Sequence, residues 1–302
     1  MSQLSQLHES IIREIIEERN QEMAQRIAEK RKEAKIAEEQ YQAEIKSIEA
    51  AGLNISNLNA LDLELSAKAE EELQSIEAQM YSESQESIRI ADDLDVEKTL
   101  LPQDAYVLTP IWVGAFSDDD VQDKLTAASL ITTQTLLAGG GCKDFYNWAK
   151  GAGSGIAGTG VGKIQSWVYF GFWFKPPTSR FYTVRPFFRF RGYYIVRAND
   201  RWYNSKFARV TVSAWTNVKQ YNWKGWNHVD VLNVGGDNIN INPRFDADRY
   251  THNSFLLGGG DWAWISCVIG LYAYARGSGS YAKNDFSTGN ANYLCVPHCY
   301  VY

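Results

Sequence analysis

Residues 1–100 contain no tryptophan, no proline, no cysteine and a single glycine, Gly52. All ten Trp, all seven Pro, all four Cys and every other glycine lie beyond them. With no breaker present, long uninterrupted helices are expected in the first segment. Its charge is as lopsided as its composition: 11 Lys+Arg stand against 23 Asp+Glu, net −12, while residues 101–302 carry 19 against 13, net +6. The expected fold is α+β in two parts, an acidic helical piece (1–100) joined to an aromatic, glycine-rich, mildly basic β piece (101–302).

Other absences narrow the class. The start `MSQLSQLHESIIREIIEERN` has no basic n-region and no unbroken apolar core, so it does not read as a secretory signal. No run approaches the roughly 18 apolar residues of a membrane helix. The expectation is a chain made in the cytoplasm with no stable membrane span, leaving a cell, if it does, by lysis or within an exported particle. Four cysteines are too few for a disulfide scaffold. Cys295-Val-Pro-His298-Cys299 has a metal-like look, but only Cys142 and Cys267 remain as a second ligand pair, far away in sequence. Structural or incidental cysteine is the simpler reading. G-x-S-x-G and H-E-x-x-H are both missing, and support for catalysis is thin.

From about Gln3 to Ala50 the chain reads as one helix, with an apolar cluster at Ile11, Ile12, Ile15 and Ile16. Ile27, Ala34, Tyr41 and Ile48, each seven apart, suit a coiled-coil seam. Gly52 is a natural left-handed stop, with Leu53 placed for the accompanying apolar contact. A second helix follows Asn and Ser caps and runs to about Asp93. At roughly 1.5 Å per residue the two are about 70 and 50 Å long. The short turn predicts an antiparallel helical hairpin. Its thin apolar seam predicts completion by self-association or by a partner. Among acidic neighbours the isoleucines read as a local bundle core rather than a membrane-inserting or partner-binding tip. Lys30-Arg31-Lys32, interleaved with Glu29 and Glu33, reads as a solvated face and not a nucleic-acid patch.

After Pro102, strand signals dominate at 164–174, 181–198, 207–216, 226–234, 262–275 and 292–302, while 121–138 is ambiguous between helix and strands. Ala208, Val210, Val212 and Ala214 alternate with polar or exposed-type residues, the pattern of a half-buried antiparallel strand. `WVYFGFWF` is apolar on both faces, as a central strand would be. Six to nine strands without helical periods between them predict an antiparallel sandwich of jelly-roll or Greek-key type.

Several constellations invite a functional reading. `GAGSGIAGTGVGK` (151–163) resembles both a dinucleotide fingerprint and a phosphate loop ending at Lys163. It precedes a strand instead of the helix that would aim N–H groups at phosphate, so a surface loop is expected. Asp237, Asn238, Asn240, Asn242, Asp246 and Asp248 are dense enough for calcium, but their spacing is not that of an EF-hand and turn chemistry accounts for them. No cofactor is implied. His228 and Asp230 would share a strand face, which suits a structural bond as well as acid–base work. Arg185, Arg189 and Arg191, with Arg180 and Arg197, make a basic stripe that reads as a solvated face, the alternative being a contact for an acidic surface such as the helical segment of a neighbouring subunit.

Aromatics near turns are in surplus: Trp202, Tyr203, Tyr221, Trp223, Trp226, Trp262 and Trp264. Many belong in a core. `NDRWYNSK` and `KQYNWKGWN`, however, set aromatic faces beside Asn, Asp and Lys, the combination that stacks on sugar rings and bonds their hydroxyls. Trp202, Tyr203, Tyr221, Trp223 and Trp226 are therefore the candidate ligand-binding residues. The organisation is similar, in architecture, to stalk-and-head attachment proteins such as phage fibres and receptor-binding subunits. That resemblance implies a non-enzymatic homo-oligomer with residues 1–100 for assembly and a β head for a glycan or protein receptor. The alternatives are a toxin-like protein with a membrane-inserting hairpin and a carbohydrate-active enzyme on a jelly roll.

Overall fold

The computed structural model describes residues 3–86, 102–118, 134–135, 141–151, 160–199, 205–288 and 291–302. Two helices, α1 (Gln3–Ala50) and α2 (Ile55–Glu86), precede all the strands. The first eight strands are β1 (Tyr106–Leu108), β2 (Trp112–Ser117), β3 (Gln134–Thr135), β4 (Cys142–Lys143), β5 (Phe145–Lys150), β6 (Val161–Phe174), β7 (Arg180–Asn199) and β8 (Phe207–Gln220). There follow β9 (Asn222–Trp223), β10 (Asn227–Gly236), β11 (Asn238–Ile241), β12 (Arg244–Tyr250) and β13 (Asn253–Leu257). The last are β14 (Ala263–Arg276), β15 (Tyr281–Phe286), β16 (Tyr293–Cys295) and β17 (Cys299–Val301).

The helix ends follow from local chemistry. Gly52 sits at φ 77°, and the Leu53 N–H donates to the Ile48 carbonyl at 3.3 Å, closing α1. Leu53 itself is half exposed. The Asn54 side chain accepts from the Asn57 N–H at 3.1 Å and caps α2.

The strands form two antiparallel sheets. One runs β10-β8-β14-β6-β2-β3, with β9 beside β8. The other is organised on β7, whose 20 residues pair with β11, β12 and β13 in succession on one flank and with β15, β16 and β17 on the other. Between the sheets lies one apolar layer: Phe170, Phe172 and Phe174 of β6, Val184, Phe188 and Phe190 of β7, and Ile265, Cys267 and Ile269 of β14. Fully burying such a side chain contributes about 1.5–3 kcal/mol each, so this layer holds the β part together. Cys142 and Cys295, directly opposed on β4 and β16, form a disulfide with Cα atoms 4.0 Å apart. Cys267 and Cys299 are buried thiols. The 295–299 pair is thus split between a disulfide and the core.

The helices depart from the antiparallel neighbours expected of them. They contact each other sparsely, and each lays its apolar stripe on the outer face of a different sheet. Ile11, Ile15 and Met23 of α1 are buried against Trp112, Phe116, Trp167, Tyr169, Trp264 and Val268. The isoleucine cluster is therefore neither a bundle core nor an exposed tip. It also explains why `WVYFGFWF` is apolar twice over: one face of β6 meets the core and the other meets α1. Gly171 makes this possible, since a Cβ there would lie 2.1 Å from the Trp264 ring. Leu73 and Met80 of α2 pack on Tyr193 and Ile195 of β7.

Ion pairs repeat the division. Glu14–Lys219, Glu33–Lys163, Glu70–Lys150, Glu72–Arg197 and Glu77–Lys283 join acidic helix to basic strand, and Lys30–Asp118 runs the other way at 2.9 Å. Asp62 and Lys206 meet at 3.4 Å with almost no exposure, and Ser278 donates to the same carboxylate. Among the described residues, no side chain of 34–61 is buried, and the side-chain hydrogen bonds of that stretch stay within it. The turn between the helices is an overhanging apex.

Three local expectations need correction. Lys163 lies in β6 and pairs with Glu33, so the end of the glycine stretch is strand; 152–159 lie outside the described residues. The Asn/Asp run is turn only in part: Asp237 and Asn242 lie in the connections on either side of β11, but Asn238 and Asn240 lie in β11, and Asp246 and Asp248 in β12, where they pair with Arg244 and with Arg189 and Arg191. The ambiguous 121–138 segment is described only at Gln134–Thr135, which is strand. As expected, Arg185, Arg189 and Arg191 share the outer face of β7, while Arg197 on that face meets Glu72 of the same chain.

Candidate functional site

One end of the β part gathers a groove of about 370 Å³ between the first turns of α1 and two strand connections. Tyr221 follows β8, Gly260 to Trp262 precede β14, and Leu7 and Ile11 of α1 form the facing wall. Tyr221 is the one non-glycine residue at positive φ (64°) among the described residues. A left-handed tyrosine costs roughly 1–3 kcal/mol and persists when its surroundings impose it. Here the imposing residue is Gln220. Its buried amide donates to the carbonyls of Gly258 (2.9 Å) and Asp261 (3.0 Å) and accepts from the Gly258 N–H (2.7 Å). Two connections distant in sequence are locked together by one side chain.

The lock fixes what faces solvent. The Tyr221 hydroxyl donates to the Asp261 carboxylate, and that bond, with the negative charge, raises the phenol above its ordinary pKa. Tyr221 is 70% exposed and Trp262 36% exposed, so both rings are available. Lys175 Nζ lies 5.7 Å from the Trp262 ring centre. Trp262 rests edge-on against Trp173 (6.0 Å, 73°), which rests in the same way against the buried Trp264 (5.1 Å, 73°). Rings backed in this way cannot swing freely.

Helix α1 completes the wall. The Trp173 N–H donates to His8 Nδ1 at 3.2 Å, and His8 also meets Trp264 edge-on at 5.5 Å. Burial lowers the His8 pKa, with Glu9 opposing. Glu14 accepts from Lys219 and, at 3.0 Å, from the Trp223 indole. The Lys219 bond chiefly, helped by Trp223 and opposed by burial, lowers the Glu14 carboxyl. Trp223 stacks on Trp226 at 6.2 Å and 18°, giving a second aromatic surface beside the first.

Of the five residues picked from sequence, Tyr221, Trp223 and Trp226 cluster at this end, whereas Trp202 and Tyr203 lie outside the described residues. Trp262 was noted as a surplus aromatic. Asp261, Gln220 and Lys175 were missed; a polar residue flanked by `GGGDW` was the available signal for Asp261. His228 and Asp230 share the exposed face of β10 as expected, with His228 stacked on Trp215 at 4.5 Å.

No family model and no curated protein matches the sequence. Among solved structures, TmCBM61 in complex with β-1,4-galactotriose aligns with 71% of this chain and 99% of its own, at 8% identity and TM-score 0.18. The Arthrobacter globiformis T6 isomalto-dextranase complexed with panose aligns with 57% and 32%, at 10% identity and TM-score 0.17. The enzymatically active domain of Bacteriophage CBA120 tailspike protein 4 aligns with 66% and 18%, at 9% identity and TM-score 0.12. These likenesses are too slight to carry an argument about fold or function.

Proposed function

We propose that this chain is a non-enzymatic attachment protein: a sandwich-like β head that binds glycans at the Tyr221–Trp262 groove, and a helical apex that serves assembly. The observation that carries the reading is the Gln220 lock, which holds a strained, exposed tyrosine hydrogen-bonded to Asp261 beside an exposed tryptophan. Indole and phenol faces stack on the C–H face of a pyranose, and a carboxylate accepts from its hydroxyls. A groove of about 370 Å³ falls in the range of small-ligand sites. Preorganisation lowers the entropic cost of binding.

Asp261 is the one carboxylate among the groove's lining residues, whereas glycoside hydrolysis uses a pair about 5–10 Å apart. That favours binding over hydrolysis. The burial of Ile11 and Ile15 against tryptophan disfavours a membrane-inserting hairpin. The test is a glycan array followed by calorimetry on the strongest hit. Trp262→Ala and Tyr221→Ala should each weaken binding at least about tenfold, roughly 1.4 kcal/mol. An array without hits, or hits indifferent to both changes, would sink the reading.

A further inference from the structure

The molecule has two unlike ends. At one, α1 leaves the sheets after Glu33 and α2 rejoins them at Asp62, leaving the apex between. Ile36, Leu53, Leu61 and Leu63 are exposed on or beside it, and across 34–61 Glu38, Glu39, Glu44 and Glu49 outnumber Lys35 and Lys46. At the other end is the start of β7. Phe181 and Leu256, directly paired across β7 and β13, are 67% and 54% exposed, and the edge strand β1 adds Val107. Among the described residues, Arg180 and Arg185 flank this patch, with Asp104 beside Arg180 at 3.4 Å. Arg185 lies over the Tyr250 ring at 4.2 Å. From Phe181 to Arg197, which α2 covers just past the apex, the strand spans about 50 Å.

We infer that copies of this chain associate head to tail, the acidic apolar apex of one seating on the basic apolar patch around Phe181 and Leu256 of the next. The inference rests on the assembly reading above and specifies its mode. Two features select a second copy, and this end of it, as the occupant. Each surface pairs exposed aliphatic or aromatic groups with a charge excess opposite to the other's, so contact buries apolar area while bringing unlike charges together. Apex against apex would oppose like charges. Because the surfaces differ and lie at opposite ends, each bound copy leaves one of each free. Such a contact closes as a ring or grows as a filament.

Trans-complementation tests this. An apex variant (Leu53→Asp with Leu63→Asp) and a patch variant (Phe181→Asp with Leu256→Asp) change only exposed side chains, and circular dichroism checks that each stays folded. In light scattering over rising concentration, the native chain should pass the mass of two copies. Each variant alone should stay at one copy. Their equimolar mixture should reach two copies and stop, because the one intact apex and the one intact patch are then both used. A native chain that stays monomeric removes the assembly reading and this one together. Assembly by the patch variant alone, or a monomeric mixture of two folded variants, overturns the head-to-tail mode while leaving self-association standing. If either variant misfolds, Glu38→Lys with Glu39→Lys and Arg180→Glu with Arg185→Glu provide the same cross by charge reversal, judged by the same outcomes.

Discussion

Helices α1 and α2 lie on outer faces of the same β part and hold on by different means. α1 sits on a floor of indole, phenyl and phenol rings, with Ile11, Ile15 and Met23 pressed into it and Arg19 and Arg26 within 5.7 Å and 5.2 Å of the Trp167 ring. α2 has a shorter apolar contact, Leu73 and Met80 on Tyr193 and Ile195, reinforced by charge. Glu77 accepts from Lys283 at 2.7 Å, and Lys283 also pairs with Asp285 at 3.1 Å. Burial pushes Tyr193 up to about 12, with the Asp285 charge adding to it. Asp285 is nonetheless held below the ordinary carboxyl range: burial alone would raise it, but Lys283, the Thr288 hydroxyl and two backbone N–H groups prevail. The contrast teaches that area and charge are alternative ways to dock a polar helix, with different sensitivities.

The sharpest break falls on α2. Lys206→Met leaves the Asp62 carboxylate facing an apolar group, and removing one member of a buried pair costs about 3–5 kcal/mol. Asp62→Leu combined with Lys206→Met should recover most of that loss in denaturant midpoints. On α1, Trp264→Ala should cost about 3–5 kcal/mol and, by hydrogen exchange, deprotect α1 while sparing α2. A pH scan separates the helices more gently. The lowered His8 pKa means that the unfolded chain binds more protons below the ordinary imidazole value of 6.5, so stability is full above that pH and declines as pH falls through it. His8→Asn should abolish that decline. The smallest effect is expected at the exposed Lys150–Glu70 pair, where Glu70→Gln should change stability by under about 1 kcal/mol, and less in high salt.

Local signals were legible where they depend on local chemistry. The Gly52 stop and the Asn54 cap stand where read, and β6, β7, β8 and β14 begin and end close to their expected bounds. Strands β12 and β15 were not legible, because Asp246, Asp248 and Asn284 look like turn residues until their arginine and amide partners are known. The charge division was visible, but its use was not: the acid of the helices answers the base of their own head. Two apolar faces on `WVYFGFWF` carried the one available clue that something covers the outer sheet. Of the candidate site, the aromatic half was readable from composition. The Gln220 lock was not, since it joins positions 38 residues apart through a side chain that sequence marks as ordinary.

The Cys142–Cys295 disulfide spans 153 residues. Topologically it closes a covalent ring that contains β5 through β15 and leaves α1, α2, β1, β2, β3 and β17 outside. Both helices can therefore peel away without opening the ring. A protease nick between the two cysteines leaves one molecule on a non-reducing gel and two fragments after reduction. A nick before Cys142 separates the helices from the ring under either condition. The bond thus divides the chain into a part that survives a cut and a part that does not, and the candidate groove straddles the line, with Tyr221 and Trp262 inside it and Leu7 and Ile11 outside.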